Sequence, residues 1–140
     1  SADCYFEELR QDFEGAYYGM YFLELADYCT RENNDEREVL KLLYQSLRAL
    51  TVKSIPRRLV RCIYEIRLIV ANGEFPGLPQ GNFSETALYA VEFIAGTPVE
   101  KLYTFTLKEE VLAELVQIAE KYRRDFLPGE FHTLEILETL

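Results

Sequence analysis

The stretch from Phe13 to Tyr28, FEGAYYGMYFLELADY, is the feature that most constrains the fold of this chain. Its apolar residues recur at helical spacing and also cover much of the remaining circumference, which is typical of a helix that other elements surround. Gly15 and Gly19 lie on one face, where a neighbouring helix could approach closely. We therefore predict a central apolar helix over about residues 5–30.

The rest of the chain also carries a helical pattern. No segment alternates apolar and polar residues over the length that a sheet requires, and the other apolar residues are spaced three and four apart. Residues that commonly cap or open helices precede the apolar runs: Asp35, Pro56, Ser84, Thr97 and Thr106. We predict an all-α fold, a compact bundle of about five to six helices around the central helix. Gly73 to Phe83 is the one clear loop.

The length and charge of the chain limit its organisation and its partners. Residues 1–140 suit a single helical domain with one core. The formal net charge is −9, whereas nucleic-acid binding draws its non-specific affinity from positive charge. We expect weak DNA affinity for this domain alone unless its basic residues are concentrated.

The cysteines and the first residues bear on localisation. Three widely spaced cysteines without a CxxC motif predict neither a zinc site nor a set of disulfides, and they suit a reducing cytoplasm. We recognise no signal peptide and no run long enough to span a membrane. The chain begins with Ser rather than Met, so we interpret it as a piece of a longer protein.

Catalytic residues are not recognisable in this sequence. His132 is the only histidine, and no serine or cysteine stands in a nucleophile motif beside it. Glu24 and Asp27 share a helix face but lack metal ligands nearby, which favours a structural ion pair over acid–base chemistry. We predict that Arg67 is the partner of Glu24, since both interrupt apolar helices. The expectation is a protein that is not an enzyme and has no cofactor or metal.

Charge asymmetry is the functional signal of the sequence. The stretch from Arg48 to Arg67 holds six basic residues and one acid, Glu65, and is net +5 within a chain of −9. An ordinary solvated helix face is one interpretation. The functional one is a site for an acidic peptide or a phosphate backbone. The candidate residues are Lys53, Arg57, Arg58, Arg61 and Tyr64.

The order of several motifs resembles a known family. The segments FLELADYCTRENNDEREVLKLLYQSLRAL, RCIYEIRLIVANGEFP, FSETALYAVEFIAGTPVEKLYTFTL and HTLEILETL occur in this order. Together they resemble the helical domain that follows the N-terminal OB-fold in the bacterial recombination mediator family RecO. The resemblance runs from about Tyr5 to Leu137. It includes Glu24-Leu25 and the aromatic-Glu-aliphatic-Arg pattern that ends at Arg67.

This resemblance implies a domain of a DNA-repair protein that assists recombinase loading and strand annealing. The implied partners are single-strand-binding protein, RecR, and single- and double-stranded DNA. Many family members carry a four-cysteine zinc module where this chain has the cysteine-free loop from Gly73 to Phe83, so zinc is not expected. Where the family often has a Lys-Ser pair, this chain has His132-Thr133, which argues against a basic DNA contact there.

Two functional hypotheses follow. In the first, the acidic tail of single-strand-binding protein, which ends in an apolar residue, binds Arg57, Arg58 and Arg61 beside Tyr64. In the second, the chain is a small-ligand-binding helical domain like the effector half of a transcription regulator, because ten tyrosines and nine phenylalanines could line an apolar pocket. Those aromatic residues equally suit an ordinary core.

Overall fold

The computed structural model describes residues 2–31, 35–129 and 131–139. Within these ranges the chain is all-α, as predicted, with six α-helices, one turn of 3₁₀ helix and no strand. The helices are α1 (Ala2–Arg31), α2 (Glu36–Ala49), α3 (Arg57–Ala71), α4 (Glu85–Gly96), α5 (Glu109–Phe126) and α6 (His132–Thr139). The 3₁₀ turn, Val99–Lys101, follows Thr97, one of the residues predicted to cap or open a helix.

Side-chain caps fix two of the helix starts. The Asp35 carboxylate accepts hydrogen bonds from the amides of Arg37 and Glu38 at 3.1 and 3.5 Å. The Ser84 hydroxyl accepts one from the amide of Ala87 at 3.2 Å. Each cap satisfies donors that the first turn of a helix leaves without an intrahelical partner. Both caps confirm the sequence prediction.

The predicted start of α5 at Thr106 is wrong. This helix begins at Glu109 and its N-cap residue is Lys108, which makes no side-chain capping bond. Phe105 and Leu107 are partly buried and pack against the core. Because both side chains are held there by a non-helical segment, the chain turns into a helix only after Leu107.

The centre of the bundle differs from the prediction, since α3 rather than α1 takes that place. Nine of the fifteen residues of α3 are buried, and this helix packs against α1, α2, α4 and α5. The C-terminal half of α1 is covered, but its apolar surface continues onto an open face. Phe13, Met20 and Leu23 remain 66%, 48% and 51% exposed.

Aromatic rings fill the interior between α1 and α3. The Phe22 and Tyr64 rings stack with their centroids 4.2 Å apart, and the Tyr64 hydroxyl donates to the Phe22 carbonyl at 2.6 Å. Tyr21, Phe22 and Tyr64 have no exposed surface. These three aromatic residues therefore serve as core.

The loop between α3 and α4 is anchored on α5. The Tyr122 hydroxyl donates to the Gly77 carbonyl at 2.6 Å, and the Phe75 ring meets the Tyr122 ring edge to face at 6.1 Å. Gly77 has a φ of +88°, a conformation that favours glycine. Over the described residues, we find no helix with an apolar stretch sufficient to cross a membrane.

Candidate functional site

An open groove lies between the N-terminal half of α1, the end of α2 and the turn that leads into α3. We call it the α1–α3 groove, and its volume is about 930 Å³. Apolar side chains and basic side chains line it together. The apolar lining includes Leu47, Val52 and Ile55, and the basic residues are Lys53, Arg57 and Arg58.

Arg57 crosses the groove because Gly15 leaves room for it. One guanidinium nitrogen of Arg57 donates to the carbonyl of Gln11 on α1. A Cβ placed on Gly15 would lie 2.8 Å from Nη2 of Arg57, which is closer than real contacts allow. The glycine on α1 thus permits the arginine of α3 to lie flat against the neighbouring helix.

Arg58 and Lys53 present their charges at the surface of the groove. Arg58 pairs with Glu109 at 3.2 Å, and the two side chains are 52% and 77% exposed. Such an exposed pair contributes little and exchanges readily with water or another anion. Asp12 and Glu14 also line the groove, on the α1 wall. The two walls therefore differ in charge, with α1 acidic and the α3 side basic.

Arg61 does not belong to this surface, contrary to the prediction. Its side chain is only 16% exposed, and its Nε lies 3.2 Å from Oε2 of Glu65. Its Nη2 lies 3.2 Å from Oε1 of Glu138, and the guanidinium stands 5.3 Å from the centre of the Tyr21 ring. The positive charge of Arg61 is thus neutralised inside the bundle.

Glu65 is the acidic centre of this interior network. It is 2% exposed, and its Oε2 accepts a hydrogen bond from the Tyr21 hydroxyl at 2.5 Å. Burial raises the pKa of the Glu65 carboxyl, and the attraction of Arg61 offsets only part of that effect. Burial, followed by the neighbouring Glu65, raises the pKa of Tyr21, so the phenol keeps the proton that it donates. Arg123 of α5 completes the network, with Nε 3.5 Å from Oε2 of Glu65.

Tyr64 is also misplaced by the sequence prediction. Its ring is buried against Phe22 and its hydroxyl is bonded to a backbone carbonyl, as described above. A residue with no exposed surface cannot contact a peptide bound outside. Of the five predicted site residues, the structure brings Lys53, Arg57 and Arg58 together and places Arg61 and Tyr64 in the interior.

The predicted ion pair between Glu24 and Arg67 is wrong. Arg67 Nη1 instead donates to carbonyls at the end of α4, namely those of Ile94 at 2.9 Å, Ala95 at 3.3 Å and Thr97 at 2.5 Å. The last carbonyls of a helix lack intrahelical donors and carry partial negative charge, which attracts a guanidinium. Glu24 Oε2 accepts a hydrogen bond from the Thr133 hydroxyl at 2.9 Å.

Sequence reasoning missed the partners of the buried network, Tyr21, Arg123 and Glu138. One signal could have revealed the network, since Glu65 is the only acid in the sequence of α3 and stands between the apolar residues Tyr64 and Ile66, so its charge had to be neutralised once that face was buried. His132 is exposed on α6, 3.9 Å from Glu135. In the described ranges, no group of three or more His, Cys, Asp or Glu side chains is placed to hold a metal ion.

Comparison with known proteins identifies the family. Neither a curated protein nor a solved structure matches the chain. The model of the family described as recombination protein O C terminal matches residues 10–81, just over half of the chain. This match covers α1 from residue 10 onward, α2, α3 and most of the following loop, and so includes the α1 wall and the α3 side of the groove. The chain belongs to the family of recombination protein O C-terminal domains, which supports a recombination-mediator role in DNA repair.

Proposed function

We propose that this domain is the protein-interaction module of a recombination mediator and that it binds rather than catalyses. Its ligand is an acidic peptide with a terminal apolar residue, as found at the end of bacterial single-strand-binding proteins. The observation that carries the proposal is the α1–α3 groove, where basic and apolar side chains share one open concave surface. A volume of about 930 Å³ lies within the range of ligand sites.

The chemistry of the two groove walls suits such a peptide. Leu47, Val52 and Ile55 offer apolar surface for the terminal side chain. Lys53 and Arg58 are exposed, so they can pair with the acidic residues of the peptide.

The acidic α1 wall affects the orientation of the bound peptide. Asp12 and Glu14 repel carboxylates and so favour a pose in which the acidic side of the peptide faces the α3 side of the groove. The filled aromatic core also supports a peptide-binding role over the alternative of a small-ligand domain, because the buried rings pack on one another instead of lining a chamber.

The proposal includes RecR and DNA as further partners of the mediator. A net charge of −9 keeps the DNA affinity of this domain alone weak, because phosphates are attracted by positive charge. In our proposal the domain therefore recruits protein-coated single strands through the tail peptide rather than through the nucleic acid.

The proposal is tested by titrating a fluorescently labelled tail peptide into the domain at several salt concentrations. We expect binding that weakens with added salt, because the contacts are charged. The double substitution Lys53→Ala and Arg58→Ala should weaken binding roughly tenfold, the effect of losing two charged contacts.

The matched control is Lys121→Ala with Arg124→Ala, which removes two exposed basic residues on α5 outside the groove. This variant changes the net charge in the same direction, and the affinity should stay close to that of the unchanged domain. Equal affinities for the double variant and the control would place the peptide site elsewhere on the molecule.

A further inference from the structure

Helix α6 has the same chemistry as the ligand proposed for the groove. Its Leu134 and Leu137 are buried against the bundle, whereas Glu135 and Glu138 are exposed. It is thus a short acidic and apolar segment that already lies on the domain. One of its acidic side chains, that of Glu138, is therefore close enough to pair with basic residues of the bundle.

Glu138 reaches from the surface onto two arginines. Its Oε1 lies 3.2 Å from Nη2 of Arg61 and 3.5 Å from Nη2 of Arg123. The Glu138 side chain is 46% exposed, whereas those of Arg61 and Arg123 are 16% and 11% exposed. The carboxylate therefore closes the outer side of a guanidinium pair that is otherwise inside the protein.

The charges of this cluster are not balanced by the buried acid alone, so a second carboxylate can bind from the surface. Glu65, the buried acid, supplies one negative charge for the two guanidinium groups, so one positive charge is left for Glu138. Arg123 Nε is buried and makes no hydrogen bond, although Glu65 lies within ion-pair distance of it. The pair of arginines is thus a built carboxylate site with capacity beyond its interior acid.

The carboxylate site is continuous with the α1–α3 groove. Leu137 of α6 is part of the groove lining, beside Arg57 and Arg58. Arg61 follows Arg57 by four residues on α3, which is one helical turn. A peptide that extends along α3 from the groove meets α6 next.

Helix α6 is held in place by its packing against the rest of the bundle, where Thr133, Leu134 and Leu137 are buried. It packs against α1, and the Thr133 hydroxyl donates to Glu24 at 2.9 Å. An eight-residue helix is too short to be stable by itself, so its order depends on these contacts and on Glu138. A peptide with similar acidic and apolar side chains can therefore displace α6 from the bundle.

We propose that Arg61 and Arg123 form a second carboxylate-binding subsite for the acidic peptide and that α6 occupies this subsite in cis through Glu138. The proposal rests on the proposed function of the groove. The peptide and α6 compete for the two arginines, so α6 lowers the affinity of the domain until it is displaced.

The test compares Glu138→Gln with Glu135→Gln, using the same labelled tail peptide. Both substitutions remove one negative charge from α6, but the Glu135 side chain is 78% exposed and lies beside His132 instead of the arginines. We expect Glu138→Gln to raise the peptide affinity roughly fivefold, while Glu135→Gln leaves it almost unchanged. Amide hydrogen exchange in α6 of the unchanged domain should become faster when the peptide saturates it.

The outcomes separate this inference from the groove proposal. Equal affinities of the two variants, or α6 exchange that does not respond to the peptide, would overturn the competition while the effect of Lys53→Ala with Arg58→Ala still supports the groove. Absence of peptide binding by the unchanged domain and by both variants would end the groove proposal and this inference together.

Discussion

Two neighbouring turns of α3 use the same residue type in opposite ways. Arg58 lies at the open groove, 52% exposed, and its partner Glu109 is 77% exposed. The side chain of Arg61, one turn further, is 16% exposed, and its partner Glu65 is buried. Both ion pairs have an N–O distance of 3.2 Å, so distance alone does not distinguish them.

The difference lies in the surroundings of the charges. An exposed pair is screened by water and typically contributes about 0–1 kcal/mol to stability. A buried pair has lost its hydration, and removal of one partner leaves the other charge without compensation, which costs about 3–5 kcal/mol. A count of basic residues along a helix therefore overstates the charge that is available to a ligand.

The largest change in stability is expected for the substitution Glu65→Gln. The substitution removes the acid that Arg61 and Arg123 share, and we expect the free energy of unfolding to fall by about 3 kcal/mol. Chemical denaturation measures this change. The matched variant Glu109→Gln, at the exposed pair, should change the free energy by less than about 0.5 kcal/mol. Equal effects at the two positions would mean that burial does not distinguish the two turns.

A smaller effect is expected at the last arginine of α3, Arg67. The substitution Arg67→Met removes its hydrogen bonds to the carbonyls at the end of α4, and we expect a loss of about 2 kcal/mol in the free energy of unfolding. A double-mutant cycle with Glu24→Gln should give a coupling energy within about 0.5 kcal/mol of zero. A coupling above about 1 kcal/mol would restore the ion pair with Glu24 that the structure excludes.

The smallest effect concerns Glu114, a partly exposed carboxylate whose partner is a serine and not an arginine. Its two oxygens accept hydrogen bonds from the hydroxyl and the amide of Ser84, at 2.7 and 2.8 Å. The bond from the Ser84 hydroxyl, followed by that from its amide, lowers the pKa of Glu114. A lowered native pKa adds stability above the unfolded value of about 4.3, and this stability is lost as the pH falls through the native pKa.

Unfolding of the unchanged domain and of Glu114→Gln, followed across the acidic range, checks this expectation. The unchanged domain should be the more stable of the two near neutral pH, and the difference should shrink as the solution is acidified. A difference that stays constant throughout would show that the Glu114 carboxylate gains no stability from its two donors.

The local part of the fold was predictable from the sequence. The caps at Asp35 and Ser84 depend on donors only two or three residues away, and local pattern reading captures such spacings. The start of α5 was not predictable in this way. It depends on Phe105 and Leu107 packing against other helices, and the capping-box pattern at Thr106 contains no information about that packing.

The candidate site was predicted only in part, and the reason is sequence distance. Lys53, Arg57 and Arg58 meet because they are close in the chain. Arg61 is removed from the surface by Glu138, 77 residues away, and the burial of Tyr64 depends on α1, where its hydrogen-bond partner Phe22 is 42 residues away. Periodicity places a residue on a face of its helix, but it does not indicate which other helix covers that face.

The absence of a side chain at Gly15 lowers the stability of α1 but allows Arg57 to lie against this helix. Alanine would suit the interior of α1 better than glycine by about 1 kcal/mol. Its methyl group would also meet only the flexible end of Arg57, so the fold would tolerate it. The guanidinium of Arg57 would nevertheless be displaced from its position over Gly15, beside the Gln11 carbonyl. A change that makes the helix more stable would thus move a basic side chain within the groove that we propose as the peptide site.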